Sequence, residues 1–570
     1  MGRHSEGAKR RHWLRWTLLG LLVVIVLLAI DLALAGSRAA SAFKDGRDAL
    51  TTGGSALESG NVPEAQNEFG AASSAGQDAT DALGHPSVSV VGWLPWFSDD
   101  VDALRRAARA INLAAEGGTS SADAADAAGW DGSSIPGFQS GGQFNPSALA
   151  AAAPHLQDAA DHLSAASDEM APVDPSSLAA PLQGPVEQAK QEIDTRASQA
   201  EIAAKLAELV PVLFGADGPR TYLLVTLSPS DPRAAGGYPG VFGVLHADGH
   251  QISLSGLAPT STIPGVAAVD GPKDAKRAWH WAGIDRFFWD TTYTADFPTA
   301  AGFMKRIWEA GGGKPVDGVI AGDPTLMSAI LGAVGSVDTP AWPETITADN
   351  VQQIVGADVY RTEDSHQSDE WEVGVGDALW QAFLTRPLST QSFATALSSA
   401  SADGHLQVWT SDASEEAQLD SLGVSGRFAL PSDGSALVRL NGFTDNRAGY
   451  FAKTSVKQSS APAPEAGSTK RTVTVRVENT APSNGPKSIL LGIHPGDTGG
   501  KPIGTFGTDI NVYLPADATK IHVKQDGSST LPFEWNELGA HVVSLSRLIP
   551  PGTMSEMQVS YELGPEQRVT

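Results

Sequence analysis

Twenty consecutive residues, Trp16 to Ala35, read WTLLGLLVVIVLLAIDLALA and contain one ionisable side chain, Asp31. As a helix rising about 1.5 Å per residue, such a run is about 30 Å long, the thickness of a bilayer's hydrocarbon core. It restricts the chain more than any other stretch, because a helix of this kind belongs in lipid and whatever flanks it must fold on opposite sides. Arg3, Lys9, Arg10, Arg11 and Arg15 come before it, and basic flanks stay on the cytoplasmic face. The expectation is a basic cytoplasmic tail over 1–15, a transmembrane signal-anchor over 16–35, and the bulk of the chain extracytoplasmic. Two export signals share parts of the pattern. Ala33-Leu34-Ala35 has the small residues of a signal-peptidase site, and KRRHWLRW is similar to a twin-arginine signal. Either one also delivers the remainder outside.

A length of 570 residues is too great for one core and predicts several domains. The 65 acidic and 39 basic residues leave a net charge of −26, which argues against a nucleic-acid partner, since phosphate backbones are held by clustered Lys and Arg. Cysteine is absent, so disulfides, thiol catalysis and cysteine-ligated zinc are excluded.

Past the apolar run the texture changes twice. Residues 36–215 are alanine-rich with helical spacing and read as an extracytoplasmic helical stalk; Asn61 and Pro63 in SGNVP mark a helix start, and the Gly/Ser/Ala-rich stretch near 117–142 reads as a flexible loop. Over 216–425 short apolar runs alternate with amphipathic ones. TYLLVTL reads as a buried strand, GVFGVLHADGHQISLSGL as a hairpin turning at Asp248-Gly249, FPTAAGFMKRIWEAG as a helix, VDGVIAGD as a strand and PTLMSAILGAVG as a helix. That order predicts an α/β (α+β) layered core domain. Over 426–570 strand-like runs such as TKRTVTVRVENT, SILLGIH, DINVYLP, HVVSLSRLIPPG and MQVSYELG follow one another between turns, the pattern of an immunoglobulin-like, all-β sandwich. The fold expected is therefore multidomain: an N-terminal transmembrane helix, an α-helical stalk, an α/β core and a C-terminal β-sandwich.

The order of the blocks YLLVTLSPSDPRAAGGYPG, DTTYTADFPTAA, VDGVIAGDP, ITADNV, VENTAP and VYLPADA resembles the bacterial family catalogued as domain of unknown function 4012. Its members typically carry asparagines and a glutamate ahead of the arginine, where this chain has Ser228, Pro229 and Asp231. The α/β region is also distantly similar to the LytR-CpsA-Psr phosphotransferases, which move glycopolymers from polyprenyl pyrophosphate to the cell wall. Asp231-Pro232-Arg233 stands where their Asp-x-Arg closes a buried strand, and Arg361 where their first late arginine stands; their further arginines are replaced here by TEDSHQSDEWE.

That second resemblance implies a chemistry with residues to carry it. Arg220, Arg233 and Arg361 are the candidate clamp for a diphosphate, and Asp231, Asp290 and Asp296 the candidate carboxylates for a magnesium ion bridging it. The plainer reading pairs Asp231 with Arg233 on a turn that Gly236 and Gly237 permit by taking positive φ. The aromatics of HWAGIDRFFWD either pack under the hairpin or stack on a sugar or lipid. GGGK, at 311–314, lacks the Ser or Thr a phosphate loop needs after its lysine and reads as a helix stop. Two functions follow: non-catalytic binding or scaffolding in envelope polysaccharide biology, or phosphotransfer on a polyprenyl-linked glycopolymer.

Overall fold

The computed structural model describes residues 37–85, 88, 97–132, 138–139, 143–386, 404–465 and 467–564. The apolar run 16–35 lies outside them, and no helix among the described residues is long and apolar enough to cross a membrane. The chain divides into two compact units, one of residues 1–219 with 247–252 and 385–395, the other of 220–246, 253–384 and 396–570.

The first unit is helical. Helices α1 (Ser37–Glu58), α2 (Val62–Leu83), α3 (Ser98–Ala127), α4 (Pro146–Met170) and α5 (Ala180–Leu213) pack successive neighbours around a core rich in alanine, into which Phe43, Leu57, Phe69, Ile111, Leu163 and Ile193 are fully sunk. Asn61 caps α2 by accepting a hydrogen bond from the Glu64 N–H, and Pro63 sits in its first turn. The first part of the flexible loop expected near 117–142 is helix instead: α3 runs through Gly117 and Gly118 to Ala127, while residues 133–137 and 140–142 lie outside the described residues. The small residues are helical because neighbours need the room. A Cβ on Gly118 would lie 2.5 Å from the Phe69 ring, and one on Gly117 2.9 Å from Leu163.

The second unit opens with β1 (Arg220–Ser228), β2 (Tyr238–Ala247) and β3 (Ile252–Pro259), continues through α6 (Lys273–Trp279), α7 (Phe297–Ala310), β4 (Gly318–Gly322), α8 (Pro324–Val334), the ribbon β5 (Val337–Thr339) and β6 (Trp342–Ile346), α9 (Val351–Gly356) and α10 (Ser365–Thr385), and closes its mixed sheet with β7 (Leu406–Thr410) before α11 (Ala413–Ser421). The sheet order is β3-β2-β1-β4-β7. β1 and β4 are parallel, Tyr222 opposite Gly318 and Thr226 opposite Gly322, while β7 returns antiparallel to β4. Leu223, Val225 and Leu227 alternate onto one face with Val319 and Ala321 and meet Phe303, Met304 and Ile307 of α7.

The remaining strands are β8 (Leu437–Gly442), β9 (Ala452–Pro462), β10 (Thr469–Asn479), β11 (Phe506–Pro515), β12 (Thr519–Gln525), β13 (Ser528–Thr530), β14 (Phe533–Glu537), β15 (Ala540–Ile549) and β16 (Met554–Leu563). They form two antiparallel sheets, β8-β11-β15-β14 and β9-β10-β16-β12-β13. Val473, Val475, Val477, Val559 and Tyr561 from one meet Ile510, Val512, Leu514 and Leu545 from the other in one core. SILLGIH, expected as a strand, is instead a turn closed by a bridge between Ser488 and Gly492.

This sandwich and the mixed sheet belong to one compact unit. β11 shows why: nine of its ten residues are buried, on both faces. Its apolar side faces the sandwich core, and its other side packs with Ala540 and Val542 against Ala234 and Ala295 through Tyr513.

Candidate functional site

The stretch Ser228 to Gly240 links β1 to β2 and is folded by its own backbone. Asp231 N–H donates to the Ser228 carbonyl, Gly236 N–H to Arg233 and Tyr238 N–H to Asp231. Gly236 and Gly237 take φ of 111° and 136°. A Cβ on Gly237 would stand 2.6 Å from the Ser228 carbonyl carbon and oxygen, so the tight return requires glycine there for room as well as for conformation.

The turn carries Asp231 and Arg233 into the sandwich. Arg233 donates to Asp231 Oδ1 at 2.6 Å and to the carbonyl oxygen of Gly442, and its guanidinium lies 4.3 Å from the centre of the Tyr293 ring. Arg447 donates to the other carboxylate oxygen of Asp231 at 3.2 Å and lies over Tyr238, 4.6 Å from its centre. Asp231 is thus bridged by two arginines whose side chains are 8% and 15% exposed. Burial pushes its carboxyl above the ordinary range, and the two guanidiniums oppose that shift. Burial disfavours the charge on Arg447, but Asp231, Tyr360, Tyr238 and Glu372 outweigh it and hold the guanidinium firmly protonated.

Backbone bonds complete the joint. Gly442 N–H donates to the Pro232 carbonyl at 2.7 Å, Ala234 N–H to Asn441 Oδ1 at 2.8 Å, and Asn441 Nδ2 to the Tyr293 carbonyl at 3.0 Å. Two further acids stand nearby. Tyr360 donates its hydroxyl to Glu372 Oε1 at 2.7 Å, and burial raises the Glu372 carboxyl to about 7. Asp290, close to Arg233 and Asp231, is likewise pushed up to about 7, again mainly by burial.

The expected site residues are therefore only partly brought together. Asp231, Arg233 and Asp290 share one cluster with Gly236 and Gly237 shaping it. Arg220 stands at the opposite end of β1, paired with Glu415 at 2.6 Å. Arg361 is 56% exposed and paired with Asp358, three residues before it, at 2.6 Å. Asp296 caps α7, accepting from Thr299 N–H at 3.0 Å and from Phe428 N–H at 2.9 Å. A three-arginine clamp is not assembled, because its members serve separate ion pairs. The three aspartates do not converge as a magnesium site either; among the described residues no three His, Asp or Glu side chains could hold a metal. Arg447, Tyr360 and Glu372 escaped the sequence reading. Arg447 sits in an ordinary turn-rich string, TDNRAGY, and nothing local in it indicates a partner 216 residues earlier.

Fold and site together define a mixed α/β lobe whose first strand delivers a charged turn into a β-sandwich. Residues 217–360 match the model of the family described as protein of unknown function (DUF4012), so that this segment is similar to that family. The match takes in Asp231, Arg233, Asp290 and Tyr360 but stops short of Glu372 and Arg447. No curated protein and no solved structure matches the chain, so the likeness to the LytR-CpsA-Psr transferases has no counterpart there.

Proposed function

We propose that this is a membrane-anchored, outward-facing cell-envelope protein that binds or scaffolds envelope polysaccharide and does not transfer it. The observation that carries the non-catalytic half is the state of Arg233. Its terminal nitrogen is bonded to Asp231 and the Gly442 carbonyl, its plane is stacked on Tyr293, and its side chain is 8% exposed, an arrangement that holds two lobes together and leaves little of the guanidinium for a diphosphate. The anchored, outward-facing half is supported by the run 16–35 and its basic flank. Protease added to wall-stripped cells should degrade everything after Ala35 and spare the amino-terminal tail; protection of the C-terminal sandwich in sealed cells would refute the orientation.

Transfer from a polyprenyl pyrophosphate is the second reading. What favours it is that the Nε atoms of Arg233 and Arg447 are buried without a hydrogen-bond partner among the described residues, next to two acids that titrate near 7. Magnesium pyrophosphate should leave the unfolding midpoint of the protein unchanged. A rise that disappears in Arg233→Lys, which keeps the charge and loses the planar fork, would favour transfer instead.

A further inference from the structure

One surface of the second unit runs against the charge of the whole chain. The net charge is −26, yet Lys273, Lys276, Arg277, His280 and Arg286 follow within fourteen residues, accompanied by two acids only. Asp274 accepts the Leu538 N–H at 3.1 Å, and Asp285 is fully buried. Around the Asp285 carboxylate stand Lys276 Nζ at 3.3 Å, His280 Nδ1 at 3.6 Å and Arg286 Nε at 4.0 Å. No hydrogen bond reaches either Asp285 oxygen among the described residues. A buried carboxylate therefore lies beside three basic side chains that remain 28%, 58% and 47% exposed, of which Lys276 also donates to the Val269 carbonyl at 2.7 Å.

Next to His280 in the chain is an indole in an unusual position. Trp281 is 64% exposed, but it is not loose: it rests edge-on against Tyr293 with centroids 5.7 Å apart and tilted against Trp279 at 6.3 Å, and both of those rings are buried. A large aromatic fixed by two buried rings offers a flat surface that has already lost its conformational freedom, the property of a recognition anchor. The flat face of an indole takes the axial C–H face of a pyranose, while flanking ammonium and guanidinium groups take carboxylate or phosphate substituents.

We propose that Trp281, with Lys276, His280 and Arg286 close to it in the chain, is a stacking platform for an anionic polysaccharide. It deepens the binding function proposed above, from which it takes only the compartment where such a polymer is met. The charge complementarity selects the occupant: a neutral glycan would leave Lys276 and Arg286 unused.

Full-length protein in detergent is titrated with hexagalacturonate, with maltohexaose as the neutral control and phosphatidylglycerol vesicles as the alternative anion, read by calorimetry. Hexagalacturonate should bind and weaken with salt, and maltohexaose should bind at least about tenfold more weakly. Trp281→Ala should lose about tenfold or more in affinity, the order expected for one aromatic stack. Should Trp281→Ala disturb folding, Arg286→Glu leaves the ring in place and is expected to abolish binding. Absence of hexagalacturonate binding, equal affinity in folded Trp281→Ala or Arg286→Glu protein, or binding to the vesicles alone would each overturn the proposal. None of these outcomes bears on the protease test of orientation, so the two readings fail separately.

Discussion

Arg233 shows how far burial changes the meaning of a residue pair. An exposed Asp-Arg pair on a turn contributes about 0–1 kcal/mol, whereas taking one partner from a buried, hydrogen-bonded pair costs about 3–5 kcal/mol because the other charge is stranded. Asp231 would keep only Arg447 in Arg233→Ala. That variant should therefore unfold at a markedly lower temperature, and Arg447→Ala should do the same; a midpoint within a degree or two of wild type would mean that the cluster is solvated. Gly237→Ala is expected to cost more than about 1 kcal/mol whatever the protein binds, since the added carbon meets the Ser228 carbonyl at a φ of 136°.

At the scale of elements, helix α10 is docked through a carboxyl that is costly to ionise. Glu372 faces Tyr360, Arg447 and Asp369, and burial raises its carboxyl from 4.5 to about 7. In the unfolded chain the proton leaves near 4.5, so between the two values the folded state holds more proton and stability falls as pH rises, at up to about 1.4 kcal/mol per unit. Below this window the slope vanishes, and above about 7 it vanishes again. Urea unfolding between pH 5 and about 7 should show the decline, and Glu372→Gln, which retains the acceptor for Tyr360, should make it shallower, the rest being due to Asp290, Glu416 and the other carboxyls that burial raises. Helix α3 makes a different point. Gly117 and Gly118 have the composition of a flexible loop, but they are where Leu163 and Phe69 approach the backbone, and Gly118→Val should destabilise the helical unit by about 1–3 kcal/mol through overpacking. The apolar SILLGIH departs from its expected strand for a similar reason: its backbone is taken by other partners, Ile489 N–H by the Thr362 carbonyl and Leu490 N–H by Tyr360.

For the molecule as a whole, the consequence is that the sandwich is not a separable module. A fragment beginning at Arg447 lacks β8, whose Leu437–Gly442 pair with Tyr513–Thr508 of β11, and it exposes the Asp509, Asn511 and Tyr513 face that the α/β lobe covers. Such a fragment should fail to give a cooperative transition by circular dichroism. A fragment from Arg220 to Thr570 keeps both lobes and should unfold in one transition; two resolved transitions would restore independent domains.

Local signals account for what could be read from the chain alone. The cap at Asn61, the hairpin at Asp248-Gly249, the strand Gly318–Gly322 and most strands of the sandwich depend on residues within about four positions of one another, or on a period of two, and are legible for that reason. Periodicity also says which side of β11 is apolar, but it says nothing of whether the polar side is wet. That depends on what docks there, and the docking surface is the turn bearing Ala234, more than 270 positions upstream. The charged cluster belongs to the same class of fact: Asp231 declares itself as an acid beside an arginine, while Arg447 becomes its partner only because two distant segments close over one carboxylate and exclude water from it. The sequence by itself determined the succession of helices and strands and the anchor-like run at the start; which charges meet, and which faces are dry, was decided by the tertiary structure, because desolvation belongs to the assembled core and to no segment of it.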